Sequence, residues 1–151
     1  MDDIIGKIDW KDKIFLIADD DYYSYLILER LISNKNGLVI YAKDGTDAVL
    51  HCLNKEDVTV ALIDLLMPRL NGYDTMTLIK QNRPKIICIA QTAYGLSSEE
   101  QKCLDAGFDS YILKPITIGK FYKTVNLCMQ NREPYNDQST MSVFQNEKNY
   151  K

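Results

Sequence analysis

The 151-residue sequence predicts a doubly wound α/β domain built on a five-stranded parallel sheet. Three observations carry that expectation. Five short β-like runs alternate with stretches of helical spacing. The first four runs are almost continuously apolar, as strands are when helices cover both faces of a sheet. The length suits one domain with short tails.

The elements follow in order. Run one is 14–18 (IFLIA), and after it Ser24, Ile27, Leu28 and Leu31 fall at i, i+3, i+4, i+7, a core stripe for the first helix. Run two is 38–42 (LVIYA), followed by a short helix candidate from Ala48 to Leu53. Run three is 58–63 (VTVALI); Tyr73, Met76, Ile79 and Lys80 then mark a helix that stops near Pro84. Run four is 86–90 (IICIA). Beyond it, Ser97-Ser98-Glu99-Glu100 has capping-box spacing and Gly107 is a stop signal. Run five is 111–113 (YIL), and the last helix runs from about Thr117 to Met129, with Phe121 and Val125 on one side. Residues 1–13 hold only Ile4, Ile5, Ile8 and Trp10 as sizeable apolar groups, and are expected to be a linker docking through Trp10. The domain proper is then 14–130. Residues 131–151, rich in Asn, Gln and Ser and without periodicity, are expected to be a flexible tail.

Composition narrows the function classes. Apolar residues make up 46% and charged residues 26%, which excludes wholesale disorder, collagen and coiled coil. Eighteen basic against 21 acidic residues leave a net charge of −3, so bulk electrostatics give no reason to seek nucleic acid. No apolar run approaches the ~18 residues of a membrane span, and residues 1–13 are too charged for a signal-peptide core. Cys52, Cys88, Cys103 and Cys128 form no CxxC pair and are expected to be reduced packing residues of a cytoplasmic protein. His51 is the sole histidine, so Ser-His or Cys-His catalysis would hang on it alone.

Ligands of open parallel sheets bind at the carboxyl ends of the strands. Asp19-Asp20-Asp21 follows run one, Asp64 follows run three, Gln91 and Thr92 follow run four, and Lys114-Pro115 follows run five. Carboxylates, a hydroxyl and an ammonium thus converge on one edge. Clustered carboxylates repel unless a cation joins them. Mg²⁺ suits the oxygen donors, with Asp20 and Asp64 as direct ligands and Asp19 acting directly or through water. A carboxylate ionised at neutral pH is a nucleophile that needs no base, so Asp64 could attack a phosphoryl group. Thr92 and Lys114 would supply a hydrogen bond and a charge to its other oxygens. Each residue alone has a bland reading: an Asp run caps a helix, a Lys is solvated, and Asn71-Gly72 is a turn. Their joint placement at the ends of four strands favours function.

Asp19-Asp20, Asp64-Leu65-Leu66-Met67-Pro68 with Asn71-Gly72, Thr92-Ala93, and Tyr111-Ile112-Leu113-Lys114-Pro115 together resemble the receiver domain of two-component signalling, over about 13–130. The stretch Ile89 to Gly95 is most similar to receivers of hybrid sensor histidine kinases. The resemblance implies a flavodoxin-like (βα)5 fold with strand order 2-1-3-4-5; a receiver is one of the standard examples of that order. It implies Asp64 as phosphoryl acceptor, and Mg²⁺ held by Asp20, Asp64 and the Leu66 carbonyl, with Asp19 behind them. Thr92 and the Ala93 amide would bind phosphoryl oxygens, and Lys114 would pair with the acyl phosphate. Thr92 and Tyr111 would form the switch. The implied partner is a histidine kinase or histidine phosphotransfer protein. The isolated domain is then a phosphoacceptor that assists its own phosphorylation and dephosphorylation, not an enzyme in the ordinary sense. Two residues depart from the usual pattern. Leu66 stands where many relatives carry a polar side chain, and Ser24 where hybrid receivers often have Asn.

Tyr22, Tyr25 and Leu26 fall off the core stripe of the first helix, close to the acidic site, and form a candidate docking patch. Two other functions compete. A Mg²⁺-dependent phosphatase of the haloacid-dehalogenase type would need an acid/base Asp two residues after the nucleophile, where this chain has Leu66. A non-phosphorylated pseudo-receiver would not need the acidic pair, acceptor, Thr and Lys together.

Overall fold

A computed structural model of the chain describes residues 2–54, 57–93 and 97–131. The expected tail therefore lies outside the described residues, apart from Asn131. Five parallel strands form one sheet in the order β2-β1-β3-β4-β5. They are β1 (Ile14–Ala18), β2 (Leu38–Ala42), β3 (Val58–Asp64), β4 (Ile87–Thr92) and β5 (Ser110–Leu113). The helices are α1 (Asp2–Lys7), α2 (Tyr22–Ser33), α3 (Gly45–Asn54), α4 (Gly72–Asn82), α5 (Ser97–Ala106) and α6 (Ile118–Gln130). None is long and apolar enough to cross a membrane.

Alternation along the strands sends successive side chains to opposite faces. Leu16, Ala18, Ala61, Ile63, Cys88 and Ala90 pack one way, against Ala48, Met76, Ile79 and Cys103 of α3, α4 and α5. Phe15, Ile17, Val60, Leu62, Ile87 and Ile89 pack the other way, against Leu28, Ile32, Phe121 and Val125 of α2 and α6. Helices cover both faces, which is why the runs contain few polar residues. Cys52, Cys88 and Cys103 are buried and Cys128 half-buried, none in a disulfide.

Three expectations shift. Strands three and four extend to Asp64 and Thr92, so these residues end the strands rather than follow them. In α2, Ile27 is 55% exposed, and the buried set is Leu28, Leu31 and Ile32. The buried stripe lies one position round the helix from the predicted one; Leu31 marks the core's edge and Ile27 lies beyond it.

The third shift concerns the lead-in. The expected docking of this strap through Trp10 is present, and the residues before it form the helix α1, which the sequence pattern did not predict. Trp10 is only 2% exposed, and its ring meets Phe15 at 4.9 Å, Tyr122 at 5.7 Å and Phe121 at 6.1 Å between centroids. The Trp10 amide donates to the Lys35 carbonyl at 2.6 Å, and the Lys35 ammonium donates to the Ile5 carbonyl at 2.7 Å. Asn36 closes the strap, donating through Nδ2 to Asp9 Oδ1 at 3.0 Å. Aromatic burial of this kind is worth about 3–5 kcal/mol when truncated to Ala. Trp10→Ala should therefore lower the unfolding free energy by about that amount in urea titrations; a loss below about 0.5 kcal/mol would show a dispensable linker.

Candidate functional site

The acidic run splits its duties. Asp21 is the N-cap of α2: its Oδ1 accepts the Tyr23 amide at 3.1 Å and its Oδ2 accepts the Ser24 hydroxyl at 3.0 Å. The bland reading of the run holds for Asp21 alone. Asp19, at the end of β1, is fully buried and its Oδ1 accepts the Asp21 amide at 2.9 Å. Asp20 points outward. One carboxylate oxygen each of Asp19, Asp20 and Asp64 lies within 4.8 Å of the others. Three hard oxygen donors this close suit a divalent ion such as Mg²⁺.

Lys114 lies across this cluster. Its ammonium donates to Asp19 Oδ2 at 3.1 Å and to Asp64 Oδ2 at 3.3 Å. Burial pushes the Lys114 ammonium down, but the Asp19 and Asp64 charges outweigh that and raise it above its ordinary value. Burial also raises the Asp19 carboxyl, against the opposing pull of the Asp21 amide and Lys114. One cation thus faces three carboxylates, a deficit that a bound metal ion would correct. The Lys114–Pro115 peptide bond is cis.

The loop after β3 is held on Asp64 itself. Leu66 donates its amide to Asp64 Oδ1 at 3.0 Å, while its side chain is 68% exposed. The Gly72 amide donates to the Leu65 carbonyl at 3.1 Å. A Cβ at position 72 would collide with the Asp64 carbonyl oxygen and lie 2.7 Å from the Leu65 Cα, so only glycine lets α4 start here. Asn71 caps that helix, accepting the Asp74 amide at 2.9 Å.

Thr92 is buried at the end of β4, and its carbonyl accepts the Lys114 amide at 2.8 Å. Asp64, Leu66, Thr92, Ala93 and Lys114 all line one cavity of about 500 Å³. Tyr73, Glu99 and Lys102, which no sequence pattern assigns to the site, also line this cavity. The Tyr73 hydroxyl donates to Glu99 Oε1 at 2.7 Å, and the Lys102 ammonium sits 5.1 Å over the Tyr73 ring. Only the position of Tyr73 directly after Asn71-Gly72 signalled this. Tyr111 is half-buried on β5 and hydrogen-bonded to Glu100, which raises its hydroxyl above the ordinary range. Tyr94, Gly95 and Leu96 lie outside the described residues. His51 sits on α3 beside Asp47 at 3.6 Å, outside the acidic cluster.

The candidate patch is partly engaged. Tyr22 is 55% exposed and Leu26 39%, but Tyr25 is half-buried, its ring 4.2 Å from that of Tyr41. Tyr41 in turn donates its hydroxyl to the Asp19 carbonyl at 3.0 Å. Ile27 and Ile118 are exposed, and with Leu26 and Ile116 they line a shallow hollow between α2 and the start of α6.

Comparison with known proteins places this geometry. The chain belongs to the response regulator receiver domain family, whose model matches residues 15–126. It is 34% identical over 120 residues to the sensor histidine kinase RcsC of Escherichia coli, covering 77% of this chain but 12% of that kinase. The receiver domain of the sensor histidine kinase PA1611 from Pseudomonas aeruginosa, solved with magnesium in its active-site cleft, superposes with a TM-score of 0.71 at 23% identity, covering 78% of this chain and 98% of that one. The Saccharomyces cerevisiae Ssk1 receiver domain, solved with the histidine phosphotransfer protein Ypd1, gives 0.72 at 24% identity, covering 82% and 94%. At these identities the two structures establish the fold. The five-stranded order and the receiver family are thus as the resemblance implied.

Gly72→Ala should push α4 off the Asp64 backbone. Its expected signature is a loss of stability of about 1–3 kcal/mol, with amide NMR shifts centred on 64–66 and 71–74. Unchanged spectra would show that the contact tolerates a methyl group.

Proposed function

We propose that Asp64 accepts a phosphoryl group from a phosphohistidine, and that the resulting change at Thr92 and Tyr111 carries the signal. The observation that supports this most is the Lys114 bridge to Asp19 and Asp64 within an otherwise acidic cluster. Asp64 Oδ would attack phosphorus as the bond to the histidine nitrogen breaks, and the imidazole leaves with the electron pair. Lys114, freed from Asp19, would pair with one phosphoryl oxygen; Thr92 and the Ala93 amide would bind the others. Asp20, Asp64 and the Leu66 carbonyl would hold Mg²⁺, with Asp19 behind them. When bound, the ion supplies positive charge that offsets the repulsion between carboxylates and an incoming phosphate. Phosphoryl oxygens would draw in the Thr92 hydroxyl, and Tyr111 would leave Glu100 for the space vacated.

The donor would be a histidine kinase or a histidine phosphotransfer protein. Tyr22, Tyr25 and Leu26 would meet it, extended by Ile27 and Ile118, which the sequence pattern did not assign to the surface. The domain acts as a phosphoacceptor, and the whole protein could be a hybrid kinase. The four thiols suit a cytoplasmic setting.

Acetyl phosphate with Mg²⁺ should add one phosphoryl group, seen as a single mass increment. Asp64→Asn and EDTA should each abolish it; labelling of Asp64→Asn at the parental rate would sink the assignment. Leu26→Asp tests the docking face. It should slow transfer from a phosphohistidine donor about tenfold or more, as loss of an apolar anchor does, and leave acetyl phosphate labelling unchanged. Equal slowing with both donors would mean damage to the site instead.

A further inference from the structure

Gln91 is the least expected residue of the edge. It is fully buried, and neither its Oε1 nor its Nε2 has a hydrogen-bond partner among the described residues. Buried amides are nearly always satisfied, because leaving one unpaired forfeits its hydration without return. An apolar residue of the same shape would be the stable choice here.

Strand alternation explains where the amide lies. Ile87 and Ile89 of β4 face α2 and α6, and Gln91 follows them in parity. Phe15 and Ile17 place Asp19 on that face by the same rule; Val60 and Leu62 so place Asp64, and Ile112 so places Lys114. Asp64 pairs with Gln91 in register. In the sheet, β4 lies between β5 and β3. The Lys114 side chain must therefore cross the end of β4, over Gln91, to reach Asp64. Both residues line the cavity beside Asp64.

We infer that Gln91 is a positioning residue for Lys114, its amide oxygen accepting from the ammonium once the carboxylates turn to other partners. This rests on the reading of Asp64 as acceptor. An ammonium has three donors, and two are engaged by Asp19 and Asp64. When Asp19 serves the metal site and Asp64 carries a phosphoryl group, the ammonium loses its contact with Asp19. The Gln91 Oε1 then holds it from beneath, aimed at the phosphoryl oxygen. The resting state leaves the amide unpaired, and the activated state uses it.

The test compares Gln91→Met, close in shape but without the amide, with the parent chain, each with and without Lys114→Met. Urea unfolding should show Gln91→Met at least as stable as the parent. Its affinity for beryllofluoride in Mg²⁺, by calorimetric titration, should fall about tenfold, the usual scale for a residue supporting a site ligand. In the Lys114→Met background the same substitution should change that affinity by less than about twofold, since the two act as one unit. Parental affinity in Gln91→Met overturns the inference. So does an equal loss in both backgrounds, or a Gln91→Met chain less stable than the parent, which would make the amide structural. Failure of the parent chain to bind beryllofluoride would instead overturn the acceptor reading, and this inference with it.

Discussion

A single ammonium, on the last strand of the sheet, neutralises carboxylates that the first and third strands deliver. Lys114 reaches Asp19 and Asp64 across sequence separations of 95 and 50 residues. Nothing local holds these groups together. Only the completed sheet, with β3 between β1 and β4, brings them within 3.3 Å. Without Lys114, the fully buried Asp19 would be a desolvated charge with only a backbone amide to answer it. Removing one partner of such a pair is costly because it strands the other. The carboxylates are therefore tolerable in the resting state, yet still short of positive charge. That shortfall is what would make the edge a place for a cation and a phosphoryl group.

The scaffold serves this edge by rigidity. Both faces of the sheet are packed with buried apolar side chains, so the strand ends have little freedom to relax away from one another. Gly72 brings the start of α4 against the backbone of Asp64, and the Leu66 amide fixes the Asp64 carboxylate from the other side. At the far end of the sheet, Trp10 and the Lys35 contacts seal the apolar layer beneath α6. The strap lies outside the residues matched by the family model, yet it contributes to the same core.

Much of this was legible in the sequence because it follows from local rules. Continuous apolar runs of four to six residues have few solutions other than parallel strands between helices, and strand ends mark where ligands go. Asp19, Asp20, Asp64, Thr92 and Lys114 were found that way, and the structure brings them to one edge. What stayed hidden depends on packing between distant elements. Periodicity gives the direction of a helical stripe but not its centre, so Ile27 was assigned to the core while α2 sits rotated toward Leu28 and Ile32. The docking of Trp10 is legible, but the three isoleucines of 1–13 carry no period, and the groove that buries Ile8 beside Trp10, against Phe15 and Phe121, is encoded by no local pattern. The capping-box spacing pairs Ser97 with Glu100 and leaves Glu99 without a role; its bond to Tyr73 arises only because α5 packs beside α4.

The same alternation that hid these contacts in sequence divides the site in structure. Asp19, Asp64, Gln91 and Lys114 occupy the face covered by α2 and α6, whereas Thr92 follows Cys88 and Ala90 onto the opposite face, where Tyr111 packs. A phosphoryl group at Asp64 would stand at the rim, in reach of both layers. Contacts to Lys114 would report to the α2 side, beside the exposed Tyr22 and Leu26. Contacts to Thr92 would report to the α5 side through Tyr111 and Glu100. Donor recognition and signal output would then sit on opposite faces of one sheet. That separation would let a donor remain on the α2 face while α5 changes its contacts, and it would need no long coupling path, since both layers would meet at the proposed acceptor itself.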